Sequence, residues 1–152
     1  MTPLNGLRIA VPRGALMRDT LDALEQALGL DVAEVRANDR KLLFEDVGLV
    51  TMRPSDVPTY VEAGAADLGI TGKDVLTEQA ERDVYELLDL GYGPCRMIVA
   101  TVEGENPMDE ALRRLGVMRI ATKYYKTASA TSSRRAARPR SSRSRARSSW
   151  RR

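Results

Sequence analysis

The sequence predicts an α/β domain, and three observations carry that expectation. Short apolar runs alternate with segments of helical period, as strands and helices alternate in this class. The breaks between them fall on glycine or proline, which end regular structure. The 152 residues are 43% hydrophobic, enough for one ordinary domain or two small lobes with a real core.

Taken in order, residues 7–12 form an apolar run closed by Pro-Arg-Gly, and Leu16, Leu21, Leu24 and Leu28 then recur near helical spacing up to Gly29. This predicts strand, turn, helix. Residues 41–44 and 48–52 read as two strands joined by Glu45 and Asp46, and two short strands in succession predict an antiparallel excursion. Ser55 is the expected N-cap of a helix over 56–63 that stops at Gly64, followed by a buried strand over 66–71. Gly72 ends that strand, and a helix is expected over 73–82. Further strands are expected over 84–90, 96–102 and 117–122, with a helix begun by Asn106 and Pro107 and reaching Leu115.

Charge divides the chain. Residues 1–122 carry 13 basic against 21 acidic residues, a balance of −8, whereas residues 123–152 carry +11 and no acid. The last 24 residues use six residue types, nine of them Arg and eight Ser, with no aliphatic side chain larger than Ala. No core can be built from that, and disorder is expected there.

Some classes are excluded at once. The chain has no histidine, so a histidine base, a Ser-His pair and a His-rich metal site are ruled out. The single cysteine, Cys95, forms no internal disulfide, which suits a reducing cytosol. No run approaches the ~20 apolar residues of a membrane span and nothing near Met1 reads as a secretory leader, so a cytoplasmic, membrane-free protein is expected.

In an α/β sheet, ligands collect where strands end and turns expose backbone N–H groups. Two turns fit. Arg13 and Gly14 follow the first strand, and Gly69, Ile70, Thr71, Gly72 and Lys73 offer two glycines, a hydroxyl and an ammonium at a similar step. Two assignments stay open: anion cradles, or glycines that shape tight turns beside solvated cations. Arg40, Lys41, Arg53 and Arg96 stand at strand ends, either converging on one cleft or lying on the surface. Asp56 and Asp74 read as first-turn helix residues, Cys95 as a packing residue, and Tyr60, Tyr85 and Tyr92 as core or rim.

Longer stretches carry more. RPSDVPTYVEAGAADLGITGKDVL over 53–76, DVYELLDLGYGPCRMIVA over 83–100 and RIATKY over 119–124 together resemble ATP phosphoribosyltransferase, the first enzyme of histidine biosynthesis. The opening LRIAVPRG and the DRKLLFED stretch at 39–46 fall where that family has its PKGR and SRKL motifs. The resemblance spans about residues 7–124, in its short form, without an added regulatory domain.

The resemblance implies a bilobal fold of the periplasmic-binding-protein type, with a first lobe over 1–92, the start of a second over 93–124 and a tail over 125–152. It implies transfer of a phosphoribosyl group from phosphoribosyl pyrophosphate to N1 of ATP, with Mg²⁺, in an oligomer that works with a subunit resembling histidyl-tRNA synthetase. Matched position by position, Arg40 is the catalytic arginine of SRKL and Arg13 the lysine of PKGR. Gly14, Lys41, Arg53 and the turn Gly69, Ile70, Thr71, Gly72, Lys73 and Asp74 line the substrate cleft.

Two departures follow. Ala15 stands where PKGR has arginine, and the family's D-x-V-x-T-G-x-T loop for the ribose phosphate is absent. A truncated second lobe and weak or absent activity are therefore expected. A single-base shift near residues 125–128 is the expected origin of the tail: if Ser129 to Ser132 is written AGC GCC ACT TCN it reads Arg-His-Phe from the third base, and if Arg145 to Arg152 is written CGG GCT CGG TCG AGC TGG CGC CGN it reads Gly-Ser-Val-Glu-Leu-Ala-Pro in that register. Competing expectations are a nucleic-acid-binding protein with a basic arm, and a small-ligand module of the same fold without catalysis.

Overall fold

The computed structural model describes residues 4–100 and 120–136. They belong to two compact units, Met1–Met118 and Arg119–Arg152. The first holds a four-stranded sheet built from β1 (Ile9–Pro12), β2 (Leu43–Phe44), β3 (Leu49–Met52) and β4 (Leu68–Gly69), in the order β2-β3-β1-β4. Around it lie α1 (Met17–Leu28), α2 (Ala33–Ala37), α3 (Val57–Glu62) and α4 (Lys73–Glu78). The mixed α/β class expected from the sequence is the class observed.

β1 is the organising strand, buried at all four positions and parallel to both neighbours, with Ile9 opposite Leu49 on one side and Leu68 on the other. Successive side chains leave a strand on opposite faces. Ile9 and Val11 therefore enter one core, with Leu21 and Leu24 of α1, Val35 of α2, Phe44 and Leu49. Ala10 enters the other, with Met52, Val57 of α3 and Ala66. A strand covered on both faces has to be apolar throughout, which is why the IAVP run shows no alternation.

The antiparallel excursion is present: β2 pairs with β3, Leu43 opposite Val50 and Phe44 opposite Leu49, through a 3-10 turn over Glu45–Val47. Gly48 closes that turn at φ +69°, and a Cβ there would lie 2.7 Å from the Leu7 carbonyl oxygen, so only glycine fits.

Several expectations are corrected. Asp56, not Ser55, stands at the N-cap position of the helix after β3, without a side-chain capping bond, and the Ser55 hydroxyl instead bonds the Asp56 carboxylate at 3.1 Å. β4 is shorter than expected and is an exposed edge, not a buried strand. α4 stops at Glu78; the Gln79 backbone N–H still donates to the Val75 carbonyl, and its side-chain Nε2 donates to the Ser55 carbonyl at 2.8 Å. α2 lies in a stretch left unassigned by the sequence pattern, because five residues with one buried valine are too short to show a period.

The strand expected over 84–90 and the described part of the one over 96–102 are absent. No described residue offers them a ladder, and a strand exists only through its partner. Tyr85, Leu87 and Leu88 are accordingly 87, 71 and 73% exposed, and Cys95 is an exposed free thiol, not a packing residue.

In the second unit, α5 (Tyr125–Ala136) is a helix where structureless chain was expected. Ala and Arg are strong helix formers, so the lack of core-forming residues does not forbid a helix. Residues 120–122 are not in a strand. The helix expected from Asn106 to Leu115 and the last sixteen residues of the tail lie outside the described residues.

Candidate functional site

At the carboxyl ends of β1 and β3 the surface opens into a cleft of about 250 Å³, lined by Arg13, Leu42, Val50, Thr51, Met52, Arg53, Asp56 and Tyr60. The backbone explains its position. β1 and β3 run parallel and end side by side at Pro12 and Met52, so the residues that follow, Arg13 and Arg53, leave the sheet together. The amide of Arg13 donates to the Met52 carbonyl at 2.7 Å, which fixes the start of the first turn. Gly14 follows at φ +84°, in the left-handed region that lets the chain turn sharply into α1.

The guanidinium of Arg13 is half-buried and heavily engaged. Its Nε donates to Thr51 Oγ1 at 3.1 Å, and its Nη2 donates to the carbonyls of Asp39 and of Lys41, the latter at 3.1 Å. Asn38 supports the same loop from within, its side-chain oxygen accepting the amides of Arg40 and Lys41 at 3.1 and 3.0 Å. Arg40 itself is exposed, and its side chain has no partner among the described residues. Lys41 is committed elsewhere, to Glu34 at 2.6 Å and over the Phe44 ring at 5.0 Å.

Of the residues expected from the sequence, the cleft thus brings together Arg13 and Arg53. The turn from Gly69 to Asp74 is not part of its lining. There, Thr71 Oγ1 donates to the Pro54 carbonyl at 2.8 Å, Gly72 caps α4, and Lys73 pairs with Glu86. Gly69 has a packing duty, because a Cβ at that position would lie 2.5 Å from Val57 Cγ1 and 2.8 Å from Val61 Cγ2.

Three polar lining residues were missed as site candidates: Thr51, Asp56 and Tyr60. Asp56 and Tyr60 are four apart across the start of α3, a spacing that places both on one side of a helix, so a signal for the pair was present. Thr51 gave none, since a threonine in a strand most often only packs. Among the described residues there is no group of three or more Cys, Asp or Glu side chains able to hold a metal, and Asp56 is the one carboxylate in the cleft lining.

In open α/β sheets ligands collect outside the carboxyl ends of the strands, which is where this cleft lies. The family follows from sequence. A family model described as HisG, ATP phosphoribosyltransferase, matches residues 53–142. An ATP phosphoribosyltransferase of Rubrobacter xylanophilus is 50% identical over 128 residues, covering 82% of this chain and 58% of that protein. One from Carboxydothermus hydrogenoformans is 46% identical over 122 residues, covering 79% and 54%. The chain belongs to the ATP phosphoribosyltransferase family, and it spans little more than half the length of these curated relatives. Among solved structures, a chain of the ATP phosphoribosyl transferase (HisG:HisZ) complex from Thermotoga maritima is 23% identical with a TM-score of 0.47, covering 82% of this chain and 69% of that one.

Proposed function

We propose that this chain carries part of the site that transfers a phosphoribosyl group from phosphoribosyl pyrophosphate to N1 of ATP, the first step of histidine biosynthesis. Family membership supports the reaction, and the single observation that ties it to this fold is the cleft where Arg13 and Arg53 leave β1 and β3 together. Loss of pyrophosphate leaves an oxocarbenium-like sugar, so such a site needs fixed cations and amides around the leaving phosphates more than a strong base. A chain without histidine meets that need.

Arg40 and Arg53, both exposed and without a side-chain partner among the described residues, are the groups proposed to meet phosphate oxygens, Arg40 as the catalytic cation. Gly14 lets backbone approach the ligand; Lys41, held by Glu34, and the Gly69 to Asp74 turn lie outside the cleft lining and are proposed as substrate contacts from the family resemblance alone. Mg²⁺ fits this donor set as an ion carried mostly by substrate phosphates, since Asp56 offers one carboxylate and Mg²⁺ commonly takes one or two beside phosphate oxygens. Bound there, the ion would neutralise charge on the departing pyrophosphate.

We further propose the bilobal arrangement, with lobes over 1–92 and 93–124 and a tail over 125–152, a cytoplasmic location, an oligomer, and a regulatory subunit resembling histidyl-tRNA synthetase. No helix among the described residues is long and apolar enough to cross a membrane. The tail is proposed to arise from a single-base shift, and the nucleotide sequence across codons 120–152 decides it: codons that restore no family motif in the shifted frame remove the idea.

The test of function is phosphoribosyl-ATP formation by the whole chain, with and without the synthetase-like subunit, beside calorimetric titration with pyrophosphate. Pyrophosphate binding with weak or no turnover is the expected result for this chain. No binding of pyrophosphate or ATP under either condition would reject the proposal.

A further inference from the structure

We infer that Arg13 is a positioning residue whose guanidinium holds the backbone carbonyls of Asp39 and Lys41, and so sets where the residue between them, Arg40, presents its charge. This rests on the reading of Arg40 as a phosphate-binding cation, but the clamp itself is independent of it. A guanidinium grips a phosphate best through two parallel N–H groups on one edge. In Arg13, Nε is spent on Thr51 Oγ1 and Nη2 on the two carbonyls, so each edge that includes Nη2 is taken. Binding an anion there would release the Asp39 carbonyl and leave the Lys41 carbonyl only the long 3.4 Å contact from the Thr51 hydroxyl.

The loop is held from two sides. Asn38 accepts the amides of Arg40 and Lys41 from within, and Arg13 takes the carbonyls on either side of Arg40 from the cleft. Arg13 is a rigid anchor for this purpose, because its own amide is bonded to Met52 and its base stands at the end of the buried strand β1. Lysine cannot replace it fully, since one ammonium cannot reach three acceptors arranged for a planar fork.

Limited trypsin digestion of the whole chain, followed by mass spectrometry, reads the clamp. Arg13→Ala is expected to raise cleavage after Arg40 and Lys41 tenfold or more relative to cleavage after Lys73, with Arg13→Lys in between. Unchanged loop cleavage in both variants, or an equal rise at every site in both, would overturn the inference. Calorimetry with inorganic pyrophosphate reads the action through Arg40. The loss from Arg13→Ala should largely vanish when Arg40→Ala is already present, because the two act in series, whereas additive losses would make Arg13 a direct ligand and overturn it. Should the unaltered chain bind no pyrophosphate, the proposed function fails while the digestion still decides the clamp.

Discussion

Tyr92 and Thr20 share a 2.7 Å hydrogen bond that fastens the 91–93 turn to α1. Thr20 is fully buried, so its hydroxyl needs that partner. Burial raises the Tyr92 phenol above its ordinary value of 10.0; the bond to Thr20 opposes the shift and Asp19 adds to it. A phenol that stays protonated more firmly in the folded state gives stability that is complete below about pH 10. That stability is lost as pH rises through the folded value. Tyr92→Phe should therefore flatten the fall in melting temperature between pH 9 and 11, and an unchanged alkaline slope would refute the assignment. At this scale the sequence was only partly legible. It placed Arg13 and Arg53 at strand ends, where the cleft is, but it carried no information on where the donors of Arg13 point. Two of its three acceptors are backbone carbonyls 26 and 28 residues away, and any residue type would supply them.

Elements were legible where their signal is local. The IAVP run of β1, the helical spacing of α1 and the paired strands β2 and β3 all declare themselves within a dozen residues. β4 shows the limit. Its two residues sit at the sheet edge, and what fixes them is the closeness of α3, whose Val57 and Val61 leave no room for a side chain at Gly69. Gly69→Ala should thus destabilise by about 1–3 kcal/mol, the usual penalty of overpacking, seen as a lower denaturation midpoint at constant slope. A variant as stable as the parent would mean that α3 stands off the sheet. Residues 84–90 fail in the opposite sense. Their apolar residues promise a strand, but the promise depends on a ladder partner far along a chain, and no local pattern reports whether one is present.

For the molecule as a whole, the unpaired segment leaves a surface of large apolar side chains: Tyr85, Leu87, Leu88, Met97, Ile98 and Val99 are all at least 45% exposed. Exposed apolar side chains gathered in one stretch of chain favour association. Leu87→Ser with Leu88→Ser should reduce concentration-dependent light scattering while leaving the melting midpoint within about 1 °C, because side chains in solvent contribute little to the fold. Equal scattering in parent and variant would place the association elsewhere. The opposed charges of residues 1–122 and 123–152 offer such a second route, and added salt separates the two, since screening weakens charge pairing and not apolar contact.

The place of β1 in the sheet has a consequence in time. The strand made first is the one at the centre, and its two neighbours are β3 and β4, paired at Leu49 and Leu68. At ~5–20 residues per second, the second neighbour leaves the ribosome roughly 3–12 s after β1 does. Throughout that interval a strand buried at all four positions waits without its full set of partners. Slowing synthesis between codons 12 and 68 lengthens that exposure, and so the yield of folded chain depends on the tempo of translation there.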